Sequence, residues 1–186
     1  MTSESSRLSR GDWLAAALKA LEKDGIAGVR VQTIAKKLGV TTGSFYWHFE
    51  NRRELRMALL DYWEAAMTDS VLVDVMQPEC TPAERILRLM ETVVFQNRAR
   101  YDAAMRTWAR ADEEIAKRVR QVEHRRQGFV AGLFREAGFS KQESWDRGVM
   151  LANYMMASGV ILERESEPKL RRMLRRQWKV LLGRET

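Results

Sequence analysis

The nine residues Thr41-Thr42-Gly43-Ser44-Phe45-Tyr46-Trp47-His48-Phe49 concentrate more interaction chemistry than any other stretch of this 186-residue chain. Phe45 and Phe49 stand four apart, so on a short helix from Thr42 to His48 both turn to one side and pack inward. Thr42, Gly43, Ser44, Tyr46, Trp47 and His48 are left on the outside or the rim. Small hydrogen-bonding residues at a helix start can approach base edges and phosphates, and the rings beyond them offer apolar and polar contacts together. A Trp on its own is more often core than contact, but here the two Phe already fill the inward positions.

Bond-making chemistry has no comparable foothold. His48 and His124 are the only histidines and Cys80 the only cysteine, too few for a four-ligand zinc site of nitrogen and sulfur. Neither a Gly-x-Ser-x-Gly elbow, nor a P-loop, nor a His-Glu-x-x-His pair occurs, so no enzyme activity, metal or cofactor is expected. Cys80 lies between Pro78 and Pro82 and reads as an inert free thiol.

The elements that must position the reading segment are helical, and no sustained alternation of β-branched and polar residues argues for strands. Trp13, Leu14, Ala17, Leu18 and Leu21 give helix one an apolar face that stops at Asp24-Gly25. Val31 to Leu38 predicts a short second helix with Ile34, Ala35 and Leu38 inward, closed by Gly39. Thr41 is suited to cap the third. Asn51, followed three residues later by Glu54, opens a long helix that runs to about Met76, before Pro78 and Pro82. Apolar spacing then supports helices at roughly 83–98, 101–110, 112–137, 141–164 and 169–182. Two short helices joined by Leu38-Gly39-Val40 match helix-turn-helix geometry, in which glycine permits the tight turn.

At this point a resemblance becomes specific. Val31 to Leu55, VQTIAKKLGVTTGSFYWHFENRREL, resembles the signature of TetR-family transcriptional regulators, the tetracycline-repressor-like helix-turn-helix proteins. In that family an Ile-Ala-x-x-Leu-Gly-Val core precedes a capped recognition helix with a Tyr, then His-Phe and a basic residue. Val31 departs from the pattern, standing where many members carry a hydroxyl residue. The resemblance covers Ser9 to roughly Leu60. It implies an all-α fold of about nine helices: a three-helix helix-turn-helix DNA-binding domain at 1–51, then a helical ligand-binding and dimerisation domain at 52–186, with a linking helix at 52–76. It also implies that Gln32, Thr33, Thr42, Gly43, Ser44, Tyr46, Trp47 and His48 face double-stranded DNA. Tyr46 and Arg52 would bind phosphate, Lys36 and Lys37 would do so more weakly, and Thr42, Ser44, Trp47 and His48 are the candidates for base readout.

Two sequence features bear on the rest of the chain. Gly148, Ala152, Ala157, Ser158 and Gly159, together with Leu170, Met173, Leu174 and Trp178, form a small-residue and apolar stripe that suits a homodimer bundle of the last two helices, or monomer core. Met90, Val94, Phe95, Tyr101, Met105, Trp108, Phe129, Met150, Tyr154 and Met155, with Gln96, Asn97 and Asn153 for polarity, suit either core packing or a pocket for a small organic ligand.

Composition bounds the reading. With 45% hydrophobic and 31% charged residues the chain can bury a full core. The net charge is +7, and residues 1–60, with ten basic and six acidic side chains, hold over half of it, which suits a polyanion. The basic run Lys169, Arg171, Arg172, Arg175, Arg176 and Lys179 reads as the solvated side of an amphipathic helix. The apolar run Val149–Leu162 is too short and too interrupted to span a membrane, and Met1–Arg10 lacks an apolar secretion core, so a cytoplasmic location is expected. Two function classes remain: a sequence-specific transcriptional regulator, a repressor released by a ligand, that reads a pseudo-palindromic operator as a homodimer; and a helical interaction or membrane-surface protein whose basic face binds an anionic partner without sequence preference.

Overall fold

Helices account for the architecture of the described residues. The computed structural model describes residues 8–161 and 165–183. Helix α1 (Arg10–Asp24) opens on a reciprocal cap: the Ser9 hydroxyl accepts from the Asp12 N–H, while the Asp12 carboxylate accepts from the Ser9 N–H at 2.7 Å. Helix α2 (Val31–Leu38) ends at Gly39, whose φ of 70° and ψ of 27° are left-handed, a conformation glycine adopts without a Cβ clash.

The segment Thr42–Trp47 is a 3₁₀ helix, where the sequence predicts an ordinary short helix over 42–48. Gly43 and Ser44 are weak helix formers and six residues are too few to propagate an α-helix. Thr41 makes no side-chain cap bond to it. Helix α3 (Arg52–Glu64) starts at Asn51, whose side chain accepts from the Glu54 N–H at 2.9 Å. The Glu54 carboxylate returns one residue further back than a capping box would, to the Glu50 N–H at 2.6 Å.

The expected long helix is present with a change of pitch. At Ala65–Asp69 it widens into a π turn, then resumes as α4 (Ser70–Val75). Helices α5 (Pro82–Phe95), α6 (Ala99–Ala109), α7 (Glu113–Glu136), α8 (Lys141–Ile161) and α9 (Glu167–Leu181) follow, each within a few residues of its predicted bounds. The predicted end of the fourth of these at 164, and Leu162 in the apolar run, lie outside the described residues, as does the side-chain environment of position 159.

Two cores hold these helices. The first joins Trp13, Leu21, Ile34, Phe45, Phe49, Leu55, Leu59 and Trp63 to Met105, Trp108, Ile115 and Val119 of α6 and α7. A division at 51/52 therefore passes through one packed cluster, with α6 seated on α1. The second joins Val71 and Val75 to Ile86, Met90, Phe134, Leu151 and Leu174. Helix α8 lies along α7 so closely that a Cβ on Gly148 would sit 2.9 Å from the Ala131 backbone nitrogen. Gly148 is thus spent inside the chain, as are the buried Ala152, Ser158, Leu170 and Leu174. Much of the stripe expected at a dimer surface is monomer core, because α7 and α5 reach it first.

Candidate nucleic-acid interface and ligand cavity

The reading segment is a thin polar layer over an aromatic floor. Phe45 and Phe49 are buried and stack on each other with centroids 5.2 Å apart, and Trp13 of α1 meets Phe45 edge-on at 5.6 Å. Arg10 closes the floor from the side: its guanidinium lies 4.8 Å over the Phe49 ring, pairs with Glu54 at 2.8 Å, and donates to the His48 carbonyl at 3.3 Å. With the floor fixed, Tyr46 and Trp47 project outward at 69% and 77% exposure.

The other predicted contact residues are exposed or half-buried. Thr42 and Gly43 are exposed, Ser44 and His48 half-buried. On α2, Gln32, Lys36 and Lys37 are exposed and Thr33 is half-buried. Lys37 stands 4.0 Å from Asp24 at the end of α1, a loose exposed pair. Arg52, on the first turn of α3, is exposed. The fold thus leaves residues at the starts of α2 and α3 and on the 3₁₀ turn accessible, with Phe45 and Phe49 buried.

The residues predicted to line a ligand pocket do not come together in one place. Met105 and Trp108 are buried in the first core, with Tyr101 packed against it. Met90 is buried in the second core, where Phe95, Phe129 and Tyr154 are half-buried neighbours. Met150 is 67% exposed. The physical reason is that Tyr101, Met105 and Trp108 are the side chains that seat α6 on α1, so they cannot also wall a cavity.

Of these, Phe129 and Met155 line the cavity of about 70 Å³ that opens beside the π turn. Its walls are Met67, Val71, Leu72, Leu89, Val93, Val130, Ala152, Met155 and Met156, and at one end Thr68, Arg98, Asp102, Glu123, Arg126 and Gln127. Sequence reasoning missed this charged end. Asp102 is the centre of it: one carboxylate oxygen accepts from Trp63 Nε1 at 2.8 Å, the other pairs with Arg126 at 2.7 Å. Arg126 also donates to Thr68 Oγ1 at 2.8 Å and to the Met67 carbonyl at 3.3 Å, and lies 5.1 Å over the Trp63 ring. Glu123 pairs with Arg106 at 2.6 Å. The one available signal was Asp102 itself, a carboxylate three residues before Met105 on an inward helix face.

Met90, Met150 and Tyr154 line a separate groove between α8 and α9 with Leu151, Arg176, Gln177, Val180 and Leu181. There the Tyr154 hydroxyl and Gln177 Oε1 are buried without a hydrogen-bond partner among the described residues. The basic run of α9 stands opposite its buried Leu170 and Leu174, with Arg171 paired to Glu167 at 2.7 Å, as a solvated face does. Among the described residues, no helix is long and apolar enough to cross a membrane and no group of three metal-ligating side chains is found.

A model of the family described as "Bacterial regulatory proteins, tetR family" matches residues 14–59. The HTH-type transcriptional regulator TtgR of Pseudomonas putida is 43% identical over 60 residues, 32% of this chain and 29% of that protein. The tetracycline repressor protein class D of Escherichia coli is 41% identical over 54 residues, 29% of this chain and 25% of that protein. These alignments span less than a third of either relative's length. Over nearly the whole chain the fold is similar to a TetR-like transcriptional regulator from Rhodococcus sp. RHA1, with a TM-score of 0.71 at 18% identity covering 99% of this chain and 100% of that one. It is similar too to a TetR transcriptional regulator from Legionella pneumophila, with a TM-score of 0.70 at 12% identity over 95% and 98%.

Proposed function

Because residues 14–59 match the model of the family of bacterial regulatory proteins described as tetR, we propose that the chain is a homodimeric repressor that reads a pseudo-palindromic operator and is released by a small organic ligand. The observation that carries this reading is the exposed Tyr46-Trp47 pair held up by a buried Trp13, Phe45 and Phe49 floor. A fold that spends three buried aromatics on displaying two exposed ones has a surface to present. Tyr46 and Arg52 take phosphates, with Lys36 and Lys37 adding charge. Thr42, Ser44, Trp47 and His48 reach base edges, supported by Gln32, Thr33 and the small Gly43, which lets the backbone approach.

One such head buries too little surface for specific binding, so two heads about 34 Å apart, or a multiple of that, are needed. The second copy docks on the α8–α9 groove. Met150 and Val180 are each 67% exposed there, and the unpaired Tyr154 hydroxyl and Gln177 Oε1 await donors and acceptors that a partner would bring. The ligand occupies the cavity beside the π turn, and the connecting helix Arg52–Val75 passes its effect to the head.

The test is selection of bound duplexes from a random pool by the purified chain. An enriched two-fold symmetric sequence is expected, with Tyr46→Phe and Arg52→Gln weakening all duplexes alike. Uniform recovery of every sequence would leave only a phosphate binder. For the dimer, Val180→Glu and Met150→Glu are expected to yield folded monomer by light scattering, since both positions are exposed within one chain; a native monomer of the unaltered chain at micromolar concentration would overturn the pairing.

A further inference from the structure

Of the four ionic side chains that line the cavity, three pair with an opposite charge, and the fourth has no such pair among the described residues. Asp102 and Arg126 pair with each other, and Glu123 pairs with Arg106. Arg98, half-buried at the start of α6, is the exception: its described bonds run to neutral acceptors, the Gln96 Oε1, the Ala66 carbonyl and the Ser70 hydroxyl, the last at 2.9 Å. Those bonds use Nε and Nη1, so Nη2 takes no part in them. A guanidinium taken from water without a carboxylate is costly, and carbonyl oxygens replace only part of its hydration. Burial accordingly holds the Arg98 pKa below the ordinary guanidinium value, partly offset by the more distant charges of Asp74 and Asp102 and aggravated by Arg126.

Beside that cation the walls are apolar: Met67, Val71, Leu72, Leu89, Val93 and Phe129. We propose that the ligand of this cavity is an organic carboxylate with an apolar tail, its carboxylate captured by Arg98 and its tail by the methionine- and valine-rich walls. The proposal rests on the cavity being the effector site and adds the ligand's chemical class. A carboxylate suits the site because guanidinium and carboxylate match as a planar two-bond pair, strengthened where water is excluded.

The capture has a built-in consequence. Arg98 holds the Ala66 carbonyl, which also accepts from the Ser70 hydroxyl at 2.7 Å; Ala66 lies within the π turn of the connecting helix and Ser70 directly follows it. A π turn leaves carbonyls short of their usual partners, and Arg98 and Arg126 supply them from the cavity side. A carboxylate therefore competes with the connecting helix for the same guanidinium, and binding loosens the turn that joins cavity to head.

The test uses the full chain with hexanoate, decanoate and tetradecanoate, each beside its methyl ester and its primary alcohol, read by thermal shift and calorimetry. At least one acid is expected to bind at least tenfold more tightly than its ester or alcohol, Arg98→Lys to keep part of that preference, and Arg98→Gln to abolish it while residual binding of the tail persists. Hydrogen exchange at residues 65–70 is expected to rise with acid bound; unchanged exchange would overturn the competition with Ala66. If ester and alcohol bind as well as acid, the carboxylate assignment falls and an apolar effector cavity remains. If no probe binds and Val93→Trp, which fills the cavity, leaves operator release by cell-extract metabolites intact, the cavity itself is not the effector site and the assignment falls with it.

Discussion

The head and the body of this molecule solve opposite problems with similar residues. In the head, aromatic rings are sorted by burial: Trp13, Phe45 and Phe49 inside, Tyr46 and Trp47 outside. Among its described residues nothing charged is enclosed, and Arg10 caps the floor from the solvent side. In the body, charge is enclosed: Asp102 is 8% exposed and tied to Arg126 and Trp63 at the end of a cavity. A surface that must meet a rigid polyanion gains from a dry, stiff support. A cavity that must change its contacts gains from charges that can be re-paired, since a buried pair contributes little net stability but costs much when only half of it is removed.

The largest expected effect breaks the body. Asp102→Ala strands Arg126 and leaves Trp63 Nε1 without its acceptor, and is expected to cost about 3 to 5 kcal/mol in urea unfolding. Replacing both partners, Asp102→Leu with Arg126→Met, is expected to recover most of that. If the double variant is as unstable as the single one, the pair is not the unit and the contrast between the two regions is drawn in the wrong place.

Breaking the head has a dry signature. Phe45→Ala opens a void under Tyr46 and is expected to cost about 3 to 4 kcal/mol, as a lost buried ring does. Operator and random duplex binding should then fail together, because the support of the entire reading segment goes. Trp47→Ala sharpens the same point from outside: stability should hold to within about 0.5 kcal/mol, while discrimination between operator and random duplex drops by about 1 to 3 kcal/mol. A stability loss at Trp47 comparable to that at Phe45 would mean the ring is structural, and the sorting of the aromatics would be wrong.

The same contrast explains which features the sequence discloses and which it withholds. The head is written in local spacing: Phe45 and Phe49 four apart, Gly39 at a turn, Asn51 and Glu54 at a cap, all within one short segment, so periodicity and cap chemistry reach it. Even there the 3₁₀ geometry of Thr42–Trp47 escapes, since it differs from an α turn by one residue in hydrogen bonding and leaves no periodic trace over six residues. The body is written in pairings far apart in sequence. Asp102 meets Trp63 and Arg126 across 39 and 24 residues, and nothing local to any of them announces the others. Methionines and aromatics at helical spacing show that a face is buried but not against what, which is why Met105 and Trp108 belong to the first core and not to the cavity. The small-residue stripe is ambiguous for the same reason: Gly148 makes room for Ala131 of its own chain.

The smallest expected effect is one the two regions should share. Each carries two cap carboxylates held below the ordinary range by hydrogen bonds: Asp12 by Ser9 and Glu54 by the Glu50 N–H in the head, Glu84 by Thr81 and Glu143 by Ser140 in the body. A carboxyl whose pKa is lower folded than unfolded contributes its full stabilisation above the unfolded value and loses it as pH falls through the folded one. The urea midpoint should therefore be flat with respect to these groups well above their ordinary values of 3.8 for Asp and 4.5 for Glu, and decline below them. Glu84→Gln and Asp12→Asn should each lower the midpoint slightly at neutral pH and flatten the acid decline. Because the caps are distributed evenly, acid should weaken the native amide signals of α1 in the head and of α8 in the body, followed separately by NMR, over one pH interval. Separate acid transitions for the two signals would show that head and body unfold independently, which the cluster joining Trp13 and Phe45 to Met105 and Trp108 argues against.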